Sequence, residues 1–188
     1  MPTKRLCLEA IKDLFTYLPQ SKANPNDAEV RSKLFLACYA SLFPFLFSGG
    51  VGLSHSIGHA IGASYAIPHG ITSCLSLAPV VRLKASNPHE AKQIARIIPY
   101  IGKKSTGDDS KDAQAVADAI ANLVEELGLK TTLTAVRLKL ASTDKGLTCR
   151  STMCQLATRK KTPLRLAHCM ATRTTRTSRI VRDLDRYL

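Results

Sequence analysis

The chain has 188 residues, of which 45% are apolar, so it is long enough to bury a core of ordinary size. Its formal net charge of +13 would indicate a nucleic-acid or anionic-surface binder if it were spread evenly. Residues 1–135 hold 14 basic against 11 acidic residues, whereas residues 136–188 hold 13 against 3, so the basic character belongs to the tail.

The first 128 residues predict helices. Residues 4–18 place five apolar side chains on one face, and Pro19 is expected to end that helix; the five are Leu8, Ile11, Leu14, Phe15 and Leu18. Asn24 and Pro25 are typical of a helix start, with a proline in the first position. The remaining predicted helices are listed here: Pro25 to about Phe43, with Pro44 as a kink or stop; residues 51–64; residues 70–84, after a turn at Ile67-Pro68-His69; one from Asn87-Pro88; and one capped by Ser110 with Gly128 at its end.

No strand pattern with a period of two competes with these helices, so the sequence predicts an all-α bundle. We expect the helical domain to occupy residues 1–134. One segment needs a separate argument, because no Asp, Glu, Lys or Arg occurs between Leu34 and Val81. Residues 34–53 have about the length of a membrane span. Pro44 and the Gly49-Gly50 pair favour a buried central helix of the bundle instead.

Residues 135–188 form a Thr- and Arg-rich tail without a sustained apolar period, which predicts disorder or loose attachment. A misread frame or a retained intron would give the same composition, and sequencing the transcript across codons 130–150 would distinguish these origins. A third hypothesis is a tail that binds nucleic acid or another acidic surface without sequence specificity. Its basic runs TRKKTPLR and TRTTRTSRIVR have no interleaved aromatic residues, which favours a solvated tail and argues against specific nucleic-acid binding.

The cysteine pattern indicates a reducing compartment. There is no CxxC pair, and the first three of six cysteines lie in apolar helical patterns; the six are Cys7, Cys38, Cys74, Cys149, Cys154 and Cys169. The amino-terminal stretch carries Glu9 and Asp13 within its apolar pattern, which is not typical of a secretory signal. We therefore expect a cytoplasmic protein, with mitochondria as the alternative, and no membrane partner.

Three of the five histidines lie within fifteen residues of one another, in a stretch without charged side chains. His55 and His59 are four residues apart and share one helix face, and His69 follows the turn at Pro68. Imidazole is a common ligand of Fe²⁺ and Zn²⁺, and a metal would offset the cost of burying these rings. The alternative is that the rings are core histidines hydrogen-bonded to backbone carbonyls. The spacing excludes an H-E-x-x-H metalloprotease, because Ser56 follows His55.

The run GLSHSIGHAIGASYAIPHGITSCLSLAPVVR resembles the histidine signature of iron-containing alcohol dehydrogenases, a family that includes maleylacetate reductases. LEAIKDLFTYLP and the helix at residues 110–128 are similar to other segments of that family, so the resemblance covers residues 6–134. The Pro-His-Gly-Ile-Thr-Ser-Cys run is similar to the fungal maleylacetate-reductase-like branch. In this family an α/β domain binds NAD(P), and an all-helical carboxyl-terminal domain binds a divalent metal.

The resemblance implies that His55 and His69 are metal ligands for Fe²⁺ or Zn²⁺ and that His59 is a catalytic residue near the nicotinamide. It implies hydride transfer between NAD(P) and a small-molecule alcohol or carbonyl substrate, with the metal as Lewis acid, and a homodimer as one assembly of the full-length enzyme. The family's two other ligands, in a D-x-x-x-H pair, and its glycine-rich nucleotide loop have no counterpart here. We therefore expect a fragment with weak or no activity alone. The rival hypothesis is a non-enzymatic helical remnant that binds no metal tightly.

Overall fold

The structure is a computed structural model that describes residues 2–43 and 52–136. Residues 1–132 form one compact unit, and the second unit, residues 133–188, lies almost wholly outside the described residues. The predictions for the tail and for Pro44 therefore fall on parts of the chain that are not described. The elements are α1 (Pro2–Ala23), α2 (Ala28–Leu42), α3 (Leu53–Tyr65), α4 (His69–Lys84), α5 (Pro88–Ala95), a 3₁₀ turn (Ile98–Ile101) and α6 (Asp109–Glu126).

No strand occurs among the described residues, and the predicted all-α class is confirmed. α1 packs against α2, α3 packs against α4, and α6 packs against both α4 and α5. Ile61 of α3, Ile98 of the 3₁₀ turn and Val116 of α6 are the largest apolar side chains that are almost completely buried. Small residues fill the rest of the core. Ala85, Ala91 and Ala113 form one buried cluster, where the small side chains let the helices approach closely.

The prediction that Pro19 ends the first helix is wrong, since α1 continues through Pro19 to Ala23. A proline inside a helix lacks the N–H that would bond four residues back, but it does not prevent later residues from bonding. Helical bonding resumes after it, as the backbone N–H of Asn24 donates to the carbonyl of Gln20 at 2.9 Å. Packing along α2, which buries Ala10 and Ala37, stabilises the continued helix.

Two predicted helix starts are displaced by a few residues, and aspartates provide the caps in both. Asp27, rather than Asn24, caps α2, because its carboxylate accepts the backbone N–H groups of Glu29 and Val30 at 3.0 Å each. Asp108, rather than Ser110, caps α6 in the same way. In each case the sequence offers several capping residues within four positions, and the carboxylate adds a favourable interaction with the positive end of the helix dipole.

The predictions for Asn87 and Gly128 are confirmed. The Asn87 side chain accepts the N–H groups of the second and third residues of α5, and Pro88 occupies the first position. Gly128 has φ of 72°, a left-handed conformation that favours glycine. The N–H of Gly128 bonds the carbonyl of Glu125, and the N–H of Leu129 bonds that of Val124, so α6 ends in a Schellman motif.

The prediction of a buried central helix is wrong for α2. This helix is apolar around most of its circumference, but only one side packs against α1, and large side chains on the other side are exposed. They are Phe35 (77% exposed), Leu36 (66%), Tyr39 (63%) and Leu42 (63%), which together are called the α2 apolar face below. None of the described helices combines the length and the hydropathy that crossing a bilayer requires.

Candidate metal centre

The three clustered histidines lie where α3 meets α4. His55 and His59 are one turn apart on α3, and His69 is the first residue of α4. The connection is short because Ala66 ends α3 in a left-handed conformation (φ 53°), after which Pro68 precedes α4. This tight corner brings the start of α4 back beside α3, so that His69 faces the histidine-bearing side of that helix.

The structure brings all three sequence-predicted site residues together. The ring centroids of His55 and His69 are 4.8 Å apart, those of His55 and His59 are 4.6 Å apart, and those of His59 and His69 are 5.2 Å apart. One potential ligand nitrogen from each ring lies within 4.8 Å of the others. His59 therefore lies as close to the pair as the two rings lie to each other, although the family resemblance assigns it a different role.

The histidines are more accessible than the apolar sequence around them indicated. His55 is half-buried, whereas His59 and His69 are exposed. The physical reason is that α3 turns Ile61 into the core and leaves the imidazole flank outside the α3–α4 contact. Partial desolvation, followed by the repulsion of the neighbouring His59 and His69 rings, lowers the pKa of His55 from its ordinary value of 6.5. Both effects favour the neutral imidazole, which is the form that binds metals.

Close helix approach is what makes this corner compact. A Cβ atom added at Gly58 would lie 2.8 Å from the Thr72 hydroxyl oxygen, and one at Gly62 would lie 3.3 Å from the Ile67 carbonyl oxygen. The absence of a side chain at these two glycines therefore allows the α3 backbone to lie close to Thr72 and Ile67.

Two buried hydroxyl residues of α4, Thr72 and Ser76, were not singled out by the sequence analysis. Thr72 is 0% exposed and Ser76 is 2% exposed. The available signal was their spacing, because residues 72 and 76 follow His69 at intervals of three and seven and so share its helix face. The Ser76 hydroxyl bonds the carbonyl of Ser54 on α3, and the Thr72 hydroxyl bonds the carbonyl of His69.

The donor set fits a divalent first-row metal in its chemistry. Three neutral imidazoles would bind Fe²⁺ or Zn²⁺, whose Zn–N bonds are about 2.0–2.1 Å. Two nitrogens on one tetrahedral ion are therefore about 3.3 Å apart, which side-chain rotation can reach from the observed spacing. No carboxylate joins this group among the described residues, so the described part of the chain offers three ligands at most.

Comparisons with known proteins identify the family and the fold. The model of the Fe-containing alcohol dehydrogenase family, carboxyl-terminal part, matches residues 2–161. That match extends beyond residue 134, where the resemblance by motif was expected to end. A solved alcohol dehydrogenase from Oenococcus oeni has a similar fold, with a TM-score of 0.62 and 22% identity, over 75% of this chain and 39% of that one.

Curated relatives give the same result. The 1-propanol dehydrogenase PduQ of Salmonella typhimurium is 33% identical over 128 residues, which is 68% of this chain and 32% of that protein. The NAD-dependent methanol dehydrogenase of Bacillus methanolicus is 31% identical over 105 residues, which is 56% of this chain and 27% of that protein. Dehydrogenase ALT3 of Alternaria alternata is 33% identical over 134 residues, covering 66% and 34%.

The chain thus spans about a third of the length of the curated relatives it matches. The family match covers most of the sequence, and the described part has the all-helical architecture with the histidine-bearing corner. The chain belongs to the Fe-containing alcohol dehydrogenase family and corresponds to its carboxyl-terminal part.

Proposed function

We propose that this chain is the metal-binding part of an NAD(P)-dependent alcohol dehydrogenase, with His55 and His69 as two of the metal ligands and His59 as the catalytic residue beside them. The convergence of the three imidazoles at one helix corner is the observation that carries the proposal. It is supported by the family match, whose members include proteins named as alcohol dehydrogenases.

When bound, the metal would polarise the oxygen of an alcohol or carbonyl substrate as a Lewis acid. His55 and His69 would hold it from two helices, so that the α3–α4 contact fixes the distance between the two ligands. His59, which is exposed on the same flank, would exchange a proton with a substrate hydroxyl at a ring nitrogen. The donor set accepts either Fe²⁺ or Zn²⁺.

The described residues fit the metal but do not fit the nicotinamide cofactor. They contain no strand, and hence no strand–glycine-loop–helix unit that could bind the phosphates of NAD(P). We derive no step through the nucleotide for that reason. From membership of the family we also propose that the whole protein is an oxidoreductase. On the same ground we propose that it is cytoplasmic and forms a homodimer.

The narrower proposal concerns the substrate. Two of the relatives named above act on 1-propanol and methanol according to their names, which favours a small primary alcohol. The run Pro68-His69-Gly70-Ile71-Thr72-Ser73-Cys74 supports a maleylacetate-reductase-like substrate instead. Because the chain alone is expected to have weak or no activity, the assay uses a protein in which it is joined to an NAD(P)-binding domain. Maleylacetate with NADH is compared with 1-propanol with NAD⁺, and turnover of only one substrate selects the corresponding branch.

Metal analysis of the purified 188-residue chain tests the site. We expect stoichiometric Fe²⁺ or Zn²⁺, and we expect His55→Ala and His69→Ala each to weaken metal binding by more than about tenfold. His89→Ala is the matched control, because His89 lies exposed on α5 and is not a member of the cluster. A chain that binds no metal above the level of a His55→Ala/His69→Ala double variant would support the non-enzymatic remnant.

The same measurement separates the role of His59 from that of the pair. If His59 is catalytic and not a ligand, His59→Ala retains the metal, whereas loss equal to that of His69→Ala would make it a third ligand. Either outcome is readable without an activity assay, since the metal content is measured directly.

A further inference from the structure

We propose that the buried hydroxyls of Thr72 and Ser76 are positioning residues, which set the spacing of α3 and α4 and thereby the distance between the His55 and His69 rings. Both side chains are almost completely buried in the contact between the two helices. This inference rests on the proposed metal site, but its structural content concerns residues that lie beneath the histidines and do not belong to the cluster.

Ser76 links α4 to the residue that precedes His55. Its Oγ lies 3.1 Å from the carbonyl oxygen of Ser54 on α3 and 2.8 Å from the carbonyl oxygen of Thr72 on its own helix. A serine hydroxyl has one proton, so it donates to one of these oxygens at a time or shares the proton between both. The bond to Ser54 crosses the helix contact directly below the start of the histidine-bearing flank.

Thr72 links the other side of the contact to His69. Its hydroxyl donates to the carbonyl oxygen of His69 at 2.7 Å, which anchors the first turn of α4. The same oxygen atom occupies the space above Gly58, where an added Cβ would come within 2.8 Å of it. Thr72 therefore packs against the α3 backbone at Gly58, next to His59, and holds the His69 backbone at the same time.

Together the two hydroxyls form a spacer one helical turn long. Ser76 fixes the carbonyl next to His55, Thr72 fixes the carbonyl of His69, and the two are joined through the Thr72 carbonyl. Buried polar groups would cost free energy without partners, and the structure pairs both. Sequence alternatives that are purely apolar would pack the helices but would not tie these particular carbonyls together.

Two measurements test the proposal on the full 188-residue chain, one without metal and one with metal bound. The first is the nuclear Overhauser effect between ring protons of His55 and His69, which depends steeply on their separation. The second is titration with Co²⁺ as the probe metal, followed by its visible absorption spectrum, which reports coordination geometry. We expect Ser76→Ala and Thr72→Val to weaken the ring-to-ring signal, to lower Co²⁺ affinity by about tenfold and to change the spectrum.

Conservative rescue and a matched control separate positioning from general destabilisation. Thr72→Ser retains the hydroxyl and should keep the wild-type spectrum. Ser32→Ala removes a hydroxyl that also bonds the carbonyl four residues back, at Ala28, but at an exposed position on α2, and should change neither readout. Ile98→Ala weakens the core away from the α3–α4 corner and should lower stability while the folded molecules keep the wild-type ring-to-ring signal.

The outcomes are distinguishable. Wild-type ring-to-ring signals in both Ser76→Ala and Thr72→Val would overturn the positioning role, whether or not the chain binds metal. A wild-type chain that shows the signal but binds no Co²⁺ would overturn the proposed metal site, and the ring-to-ring signals of the variants would still decide the positioning role.

Discussion

Gly58 illustrates how a single residue controls the histidine corner. It is buried in α3 under the Thr72 side chain, which is itself fully buried and hydrogen-bonded, so it has little freedom to move. We expect Gly58→Ala to destabilise the fold by about 1–3 kcal/mol through overpacking. The same change should separate α3 from α4 and weaken metal binding. Urea unfolding and metal titration measure the two effects.

Gly70 provides the control for that substitution, because it is a helical glycine of α4 next to His69 and an added Cβ would meet nothing within 4 Å. Gly70→Ala should stabilise the chain by about 0.4–1 kcal/mol, since alanine reduces the entropy of the unfolded chain. Equal stability changes in the two variants would contradict the close approach at Gly58.

Asp112 makes the stability of α6 sensitive to acid. It is 2% exposed, and it accepts hydrogen bonds from the hydroxyl of Ser105 and from the N–H and hydroxyl of Thr106. These bonds, that from Ser105 first, hold the pKa of Asp112 below its ordinary value of 3.8. Because the folded state favours the ionised form, Asp112 stabilises the fold above pH 3.8 and loses that contribution as the pH falls further towards its folded pKa.

Asp112→Asn tests this dependence. We expect the variant to be less stable than the wild type at neutral pH and the difference to shrink as the pH falls below 3.8, as followed by thermal unfolding at several pH values. Asp118→Asn is the control, since Asp118 is an exposed partner of Arg82 and should contribute little. Acid unfolding curves of wild type and Asp112→Asn that stay parallel would refute the assignment.

At the scale of helices, the apolar periodicity of the sequence predicts which segments are helical, but it does not predict the residues at which the helices begin and end. The apolar spacing of α6 and the Pro68 corner predicted helices that the structure confirms, because a 3.6-residue period has few other causes. Asn24 and Ser110 were plausible caps, yet Asp27 and Asp108 are the actual ones, since only the backbone geometry decides among neighbouring polar residues. The grouping of the histidines was likewise readable from the sequence, whereas their exposure was not, because it depends on which helices cover the flank.

Pro19 offers a test of how packing overrides local preference. α1 tolerates it in the interior, where a proline costs up to about 3 kcal/mol relative to alanine. We therefore expect Pro19→Ala to raise stability, by about 1 kcal/mol or more, and to increase helical circular dichroism slightly. An unchanged or lower unfolding midpoint would show that the proline's fixed φ stabilises α1 in a way that its hydrogen-bonding pattern does not reveal.

For the molecule as a whole, the α2 apolar face is the main departure from what the sequence predicted. A helix that is apolar around most of its circumference is expected in a core. In the described structure, however, α2 leaves four large side chains exposed, and Tyr39 contacts Phe43 edge-to-face, with ring centroids 6.3 Å apart, on that side. The sequence determines which residues are apolar but not how many neighbouring helices are available to cover them.

Such a face predicts measurable behaviour of this chain in solution. A contiguous exposed apolar patch binds hydrophobic dyes and promotes association, whereas isolated exposed leucines do not. We expect the double variant Phe35→Lys/Tyr39→Lys to reduce dye fluorescence and concentration-dependent sedimentation strongly. Its unfolding free energy should change by no more than about 0.5 kcal/mol, because both side chains are exposed and lysine is a good helix former. Leu83→Lys, at a leucine 49% exposed on α4, is the matched control and should leave both signals unchanged. If the double variant binds dye as the wild type does, the α2 apolar face is not the surface that the solvent meets, and α2 is covered after all.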